Sequence, residues 1–410
     1  MGSPAIDLFS GSGVVAARLG RGRAVTAVDV QEYSRILSSA QLAPARVSQG
    51  RLSDLINRAD AVEAGWLAGP LGQLVEAEKE ATSVRRDSLS LENLAGIIEH
   101  GSIQASHISH EIPEPIAREF VGVRDGDAGL NEGLTLTRYY GGVFFSYAQA
   151  LKLDCLIQIA RQEGTDTERD TLLAALLGAA SDCVTSTGNH FAQPLRPIGK
   201  TGEVKYGTLS KVQKQRTRSP LVVFEERINR YRSLSAAKRG SLAVKQDFRE
   251  FFERGENDFG VVYADPPYTR DHYSRFYHVL ETIALGDDPG ISLSTSSGDS
   301  VPSRGLYRER RHQSPFSVKT QVELAFQDLF ESVSARGVPL IVSYSGYDQG
   351  TVARPKPRLL TLQELSDIAG QYFCSIDIRS AGQVAHSRFN AKHLNIAPTE
   401  EAESFIVALP

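Results

Sequence analysis

Short apolar runs that end on acidic or glycine residues recur along this chain, and they predict a parallel sheet with helices between its strands. Residues 5–9 form the first run and enter a glycine turn at Ser10-Gly11-Ser12-Gly13, with a helix predicted over 14–20. Residues 24–29, Ala-Val-Thr-Ala-Val-Asp, predict a second parallel strand closed by Asp29. Helix with breaks follows from Gln31 to about Arg58. The stretch from 59 to 239 has another texture: helical segments around 75–99 and 146–182, then a polar, broken stretch over 190–239. Strand patterns return at 242–248, 259–264 and 339–344, and segments 371–378 and 403–409 predict an antiparallel closing hairpin. The expected fold is therefore a doubly wound, Rossmann-like α/β sheet carrying a long, mainly helical and basic insertion. Residues 1–58 and 240–410 form the sheet domain of this reading, and 59–239 the insertion.

Composition adds bounds. A chain of 410 residues is long enough for two domains, and 41% apolar with 23% charged residues describes a globular protein with a substantial core. The net charge is −4, yet residues 196–239 hold twelve Lys and Arg against three Glu, a local net of +9. Its densest part is Lys211–Arg218. Cys155, Cys183 and Cys374 are widely spaced and read as reduced interior residues of a cytoplasmic protein. No apolar run reaches membrane-spanning length, so no membrane partner is expected. Three scattered histidines, His100, His107 and His110, lack a framework of further ligands, and no metal is expected.

Two strand ends carry candidate chemistry. At the first, Gly11 and Gly13 let the backbone approach a ligand, and Asp29 at the next strand end can accept from both hydroxyls of a ribose. Asp247 is placed to accept from an adenine amino group, and Phe248 to pack on that ring or in the core. The absence of a Lys-Ser/Thr ending argues against ATP hydrolysis. At the second, Asp265-Pro266-Pro267-Tyr268 follows an apolar strand. A carboxylate from Asp265 and the carbonyl of Pro266 can hold the two hydrogens of a ring-attached amino group, favouring a nucleophilic nitrogen. The proline pair stiffens that carbonyl, and Tyr268 offers a face for an extruded base. Four residues alone also fit a plain rigid turn. Together the two ends predict methylation of a base in nucleic acid.

Basic and aromatic residues suited to nucleic acid flank these motifs: Lys211, Lys214, Arg216 and Arg218 in the insertion, then Arg270, Tyr273, Arg275 and Arg308. Arg304, Arg310 and Arg311 belong to the same second basic stretch, for which a solvated loop is an equally good account. His278 and Glu281 are three apart on a predicted helix and read as a polar face.

With these motifs the chain resembles the D12-class adenine-specific DNA methyltransferases. Asp7-Leu8-Phe9-Ser10-Gly11-Ser12-Gly13 is similar to that family's cofactor motif, Asp29 to its ribose-binding acid, Lys245-Gln246-Asp247-Phe248 to a strand-end motif, and Asp265–Tyr268 to its catalytic motif. Ser343-Tyr344-Ser345 resembles the motif on the far side of the target pocket. The motif order is that of the alpha group. The resemblance implies S-adenosylmethionine as cofactor, with Asp7, Phe9, Gly11, Gly13, Asp29, Asp247 and Phe248 around it. It further implies adenine N6 in double-stranded DNA as target, and a restriction or defence system as partner. Cytosine-N4 methylation uses the same geometry and stays open. Such enzymes also carry a short glycine- and lysine-containing motif ahead of the first glycine turn, and this sequence begins too late to hold it. A catalytically impaired DNA-binding homologue is therefore a further alternative.

Overall fold

The computed structural model describes residues 2–83, 88–126, 133–188, 190–255, 258–268, 273–296, 299–345, 359–383 and 402–410. Among them are the strands β1 Ala5–Leu8, β2 Val25–Asp29, β3 Leu242–Lys245, β4 Val261–Ala264, β5 Leu293–Ser296, β6 Asp299–Pro302, β7 Leu340–Ser345, β8 Ser375–Gln383 and β9 Ala402–Leu409. Seven make one sheet in the order β3-β2-β1-β4-β7-β9-β8. From β3 to β7 every neighbour is parallel, and β9 runs antiparallel to both β7 and β8. The expected Rossmann-like sheet and its closing hairpin are both present.

Strand composition follows position in the sheet. All four residues of the central β1 are buried, as a strand flanked on both edges and covered on both faces requires. The edge strand β3, with Leu242 exposed, carries the weaker apolar pattern. One face is covered by helices Phe248–Glu253 and Val322–Ser334. The second of these buries Val322, Ala325, Phe326, Leu329, Phe330 and Val333, a spacing that keeps one helical face apolar. Fully burying Phe326 or Phe330 contributes about 1.5–3 kcal/mol each. Ala16, Val25, Ala27 and Leu42 form a smaller cluster with the flanking Leu19.

The chain folds as two compact units, Met1–Ala45 with Ser233–Ser274 and His312–Pro410, and Arg46–Arg232 with Arg275–Arg311. The unit limits differ from the expected 58 and 240 for a packing reason. Helix Gln49–Leu67 runs straight through residue 58 and packs on helix Tyr147–Arg161, so the division falls before it. Residues 275–311 join the second unit because helix His278–Leu285 packs on helix Asp166–Cys183. From Asp170 to Ala180 that last helix is buried nearly all round, as a helix segment enclosed by others requires.

Three readings change. The 190–239 stretch contains two regular helices, Tyr206–Gln215 and Pro220–Ser233, rather than broken chain. His278 and Glu281 are buried, not on a polar face: His278 packs against Tyr140, Phe144, Phe191 and Tyr307, and burial pushes its pKa down to about 3. Cys155 and Cys183 are buried thiols pushed up to about 12 and about 11 by that burial, whereas Cys374 is exposed. Thr269, Arg270, Asp271 and His272 lie outside the described residues. No helix among the described residues is long and apolar enough to cross a membrane.

Candidate active site

The parallel register brings four strand ends to one edge of the sheet. Leu8 pairs with Val28 and Ala264, and Asp29 with Lys245, so Phe9, Asp29, Gln246 and Asp265 emerge side by side. This is the carboxyl edge, where ligands of doubly wound sheets bind. A cleft of about 260 Å³ opens there within the first unit. Its walls include Phe9, Gly11, Asp29, Asp247, Phe248, Asp265, Pro266, Pro267, Tyr268 and Tyr273.

The glycine turn is shaped by backbone geometry. Phe9, Gly11 and Gly13 all adopt positive φ, at 59°, 52° and 74°. Gly13 has a second constraint: a Cβ there would lie 2.6 Å from the Ser38 Cα, so only glycine allows the turn to close on that helix. The Gly13 amide donates to the Ser10 carbonyl at 2.8 Å, and its own carbonyl accepts from Ala17 to start the helix. Gly13 thus shapes the turn without lining the cleft.

Asp29 is held by the turn it faces. Its Oδ2 accepts from the Gly11 amide at 3.0 Å and its Oδ1 from the Gln31 amide at 2.8 Å. Burial pushes its carboxyl up, opposed by these donors. Each oxygen retains capacity for a further donor. Asp247 caps helix Phe248–Glu253, accepting from the Arg249 amide at 2.9 Å. The Gln246 amide donates to the Asp29 carbonyl, which ties the ends of β2 and β3 together.

Asp7 is different. It is buried on β1 and does not itself line the cleft; its Oδ2 has no hydrogen-bond partner among the described residues. Burial raises its pKa to about 7, partly opposed by a bond from the Ala16 amide and reinforced by Asp265 and Asp29. The Gln246 Nε2 is likewise buried without a partner among the described residues, on a residue that does line the cleft. Buried polar atoms left unpaired are uncommon and cost stability unless a ligand or water meets them.

At the next strand end, Asp265 is exposed and its amide reaches the Leu8 carbonyl at 3.5 Å. Tyr268 is half-buried, its ring 5.2 Å from that of the fully buried Tyr344, whose hydroxyl donates to the Leu360 carbonyl. Tyr344 thus backs Tyr268 instead of facing the cleft.

One wall was not anticipated. Ser314, Pro315, Phe316 and Ser317 line the cleft, with Phe316 in an aromatic triad with Phe9 and Phe248 at centroid distances of 5.1–5.8 Å. A Pro-Phe pair ahead of an amphipathic helix carries no chemical signal of its own. Only the sheet's connectivity brings it beside residues far earlier in the chain.

The predicted nucleic-acid residues divide. Lys211 and Lys214 are exposed on helix Tyr206–Gln215, and Arg218 is half-exposed with Asp182 nearby. Arg216 corrects the expectation: its side chain is buried, paired with Glu78 at 3.0 Å and donating to the Gly142 carbonyl. Arg308 is another correction, buried against Asp287 and Thr282. Both guanidiniums are committed to internal acceptors, and neither is presented to a phosphate. Arg304 pairs with Glu99.

The fold and this edge define an α/β protein with a glycine turn and an Asp-Pro-Pro-Tyr strand end on one cleft. Sequence comparison narrows the class. Residues 198–335 match the family described as D12 class N6 adenine-specific DNA methyltransferase. Modification methylase LlaI of Lactococcus lactis subsp. lactis is 32% identical over 137 residues, which is 32% of this chain and 18% of that protein. Type II methyltransferase M.FokI of Planomicrobium okeanokoites is 35% identical over 100 residues, 24% of this chain and 13% of that one. Over this matched segment the chain is homologous to the D12-class adenine-specific DNA methyltransferases, the family its motifs indicated. The matches span less than a fifth of either relative. The family match includes Asp247, Phe248 and Asp265–Tyr268; the glycine turn lies outside it.

Proposed function

We propose that this chain transfers a methyl group from S-adenosylmethionine to the exocyclic N6 of adenine in duplex DNA. The observation that carries the reading is that one cleft holds both Phe9, Gly11, Asp29, Asp247 and Phe248, the residues predicted to hold a nucleoside cofactor, and Asp265–Tyr268. The bound cofactor supplies an electrophilic methyl group on a sulfonium. The residues present fit such a ligand. Asp29 keeps acceptor capacity for ribose hydroxyls, the Gln246 Nε2 is a buried donor lacking an acceptor, and the Phe9–Phe248–Phe316 triad offers apolar surface. Asp7 adds a buried acceptor beside the turn.

In this reading the Asp265 carboxylate and the Pro266 carbonyl accept the two amino hydrogens of a flipped adenine. They draw the nitrogen out of conjugation and hold its lone pair in line. Such fixed acceptors act where positive charge develops on the nitrogen. Tyr268, braced by Tyr344, stacks on the extruded base. Lys211, Lys214 and Arg218 contact the DNA backbone without reading sequence. One relative is named a modification methylase, which supports a place beside a restriction or defence activity.

The test incubates the protein with labelled S-adenosylmethionine and mixed-sequence DNA and identifies the modified nucleoside. N6-methyladenine is expected; N4-methylcytosine moves the assignment to cytosine, and no transfer overturns it. Asp265→Ala is expected to lower turnover by about 10²–10³-fold while calorimetric cofactor binding persists.

A further inference from the structure

Tyr307 carries two arginines. The Arg311 Cζ lies 4.8 Å from the centroid of its ring and the Arg275 Cζ 5.7 Å from it. The ring itself is fixed. Its hydroxyl donates to the Ala192 carbonyl, its amide donates to the Ser303 Oγ at 3.0 Å, and its ring meets buried His278 edge-on at 5.3 Å. Gly305 makes room for it, since a Cβ there would come within 2.4 Å of the Tyr307 ring.

Holding two guanidiniums on one ring is costly without an anion. Each gains a modest cation–π attraction, of the order of 0.5–2 kcal/mol, but they repel one another. Burial and the charge of Arg275 both push the Arg311 pKa down. Nearby Arg308 shows the usual remedy, an aspartate partner. Among the described residues neither Arg275 nor Arg311 has a carboxylate in ion-pair range. Among the described residues Arg311 bonds internally through its Nε, to the Arg308 carbonyl at 3.1 Å. Arg275 is exposed.

Position along the chain says which anion. Arg275 directly follows Ser274, and Arg311 directly precedes His312; Ser274 and His312 both line the catalytic cleft. Covalent adjacency keeps the Cα of each arginine about 3.8 Å from that of a cleft residue. A DNA strand whose base enters the cleft carries its phosphates close by.

We propose that Arg275 and Arg311, seated on Tyr307, form a clamp for a backbone phosphate flanking the target base. The proposal rests on the DNA-methylation reading. Planar guanidiniums stacked on an aromatic ring are well suited to bidentate phosphate recognition. Tyr307 is a positioning residue, and the clamp holds DNA in register without reading its sequence. It replaces Arg308, the arginine first expected to serve in this stretch.

The test titrates the full chain with duplex DNA at several salt concentrations, for wild type, Arg275→Ala, Arg311→Ala, Arg275→Lys and Arg311→Lys. Each alanine variant is expected to reduce the salt slope by about 1. That corresponds to about eightfold weaker binding at 0.1 M salt relative to a 1 M reference. The lysine variants keep most of the slope, because the charge remains. Unchanged slopes in both alanine variants, with wild type binding DNA, overturn the clamp and leave the methylation reading standing. If Arg311→Ala lacks a cooperative melt, exposed Arg275→Ala decides alone. Tight binding of inorganic phosphate that Arg311→Ala abolishes, with no change in DNA slope, assigns a free-anion site instead. Failure of wild type to bind or methylate DNA removes both readings.

Discussion

Asp7 and Asp154 are both buried carboxyls, and in both burial raises the pKa to about 7. Their surroundings differ completely. Asp154, in the helical unit, accepts from the Leu136 and Thr137 amides and the Thr137 hydroxyl, all within 2.9 Å, and so caps helix Thr135–Tyr140. Asp7, at the carboxyl edge of the sheet, has one oxygen unpaired and two further carboxylates nearby. The contrast extends to other charges. In the helical unit Arg216 meets Glu78, and Lys152 meets Asp60 and Glu63. At the sheet edge Gln246 keeps an unpaired donor. The helical unit is not wholly paired either, since the Arg216 Nε and the Arg232 Nη2 lack partners among the described residues; what sets the sheet edge apart is that its unpaired Gln246 nitrogen belongs to a residue lining the cleft.

The sharpest way to break this comparison is to remove one member of a buried pair. Burial pushes the Glu78 carboxyl up, and the Arg216 guanidinium and the Tyr147 amide oppose that push. Glu78→Ala strands a buried guanidinium and is expected to cost about 3–5 kcal/mol in denaturant unfolding. A loss below ~1 kcal/mol would show that Arg216 finds water or another acceptor. Asp154→Ala ranks next, at about 1–3 kcal/mol, because its backbone donors lose their acceptor.

Asp7→Asn has the smallest effect at neutral pH and the most telling pH profile. The Asp7 pKa of about 7 lies well above the ordinary value of about 3.9. Below the ordinary value both folded and unfolded chains carry the proton, and stability is full. As pH rises toward 7 the unfolded chain releases it first, so stability falls until the folded pKa is passed. In ligand-free protein, Asp7→Asn is expected to lessen the fall of melting temperature between pH 4 and 7, the part due to Asp154 remaining, and to match or exceed wild type above 7. Asp154 shares that titration, but its replacement by Asn also removes an acceptor, so Asp154→Asn is expected to stay below wild type throughout. Identical profiles for the two variants would erase the distinction between a fully paired buried acid and one with an unpaired oxygen.

Much of the sheet edge was readable from residues close in sequence. Gly11 and Gly13 announce a turn because positive φ is set by local sterics. Asp29, Asp247 and Asp265 announce strand ends because each follows a short apolar run. The Ser314–Ser317 wall gave no such notice, as its role arises from being placed against Phe9 and Phe248, more than sixty residues away in the chain. The basic insertion misled in part for the same reason. Lys211, Lys214, Arg216 and Arg218 look alike in a charge count, yet Arg216 is claimed by Glu78, 138 residues distant.

The sequence by itself determined the strand type, the glycine turn, the Asp-Pro-Pro-Tyr end and the family they indicate, since each depends on backbone preferences and side-chain chemistry within a few residues. The tertiary structure alone decided which acids keep an unpaired oxygen, which arginines are spent inside, and which stand on Tyr307. It also drew the unit boundary before helix Gln49–Leu67. These are matters of solvent access and partner choice, and the groups that take a side chain out of water come from distant parts of the chain.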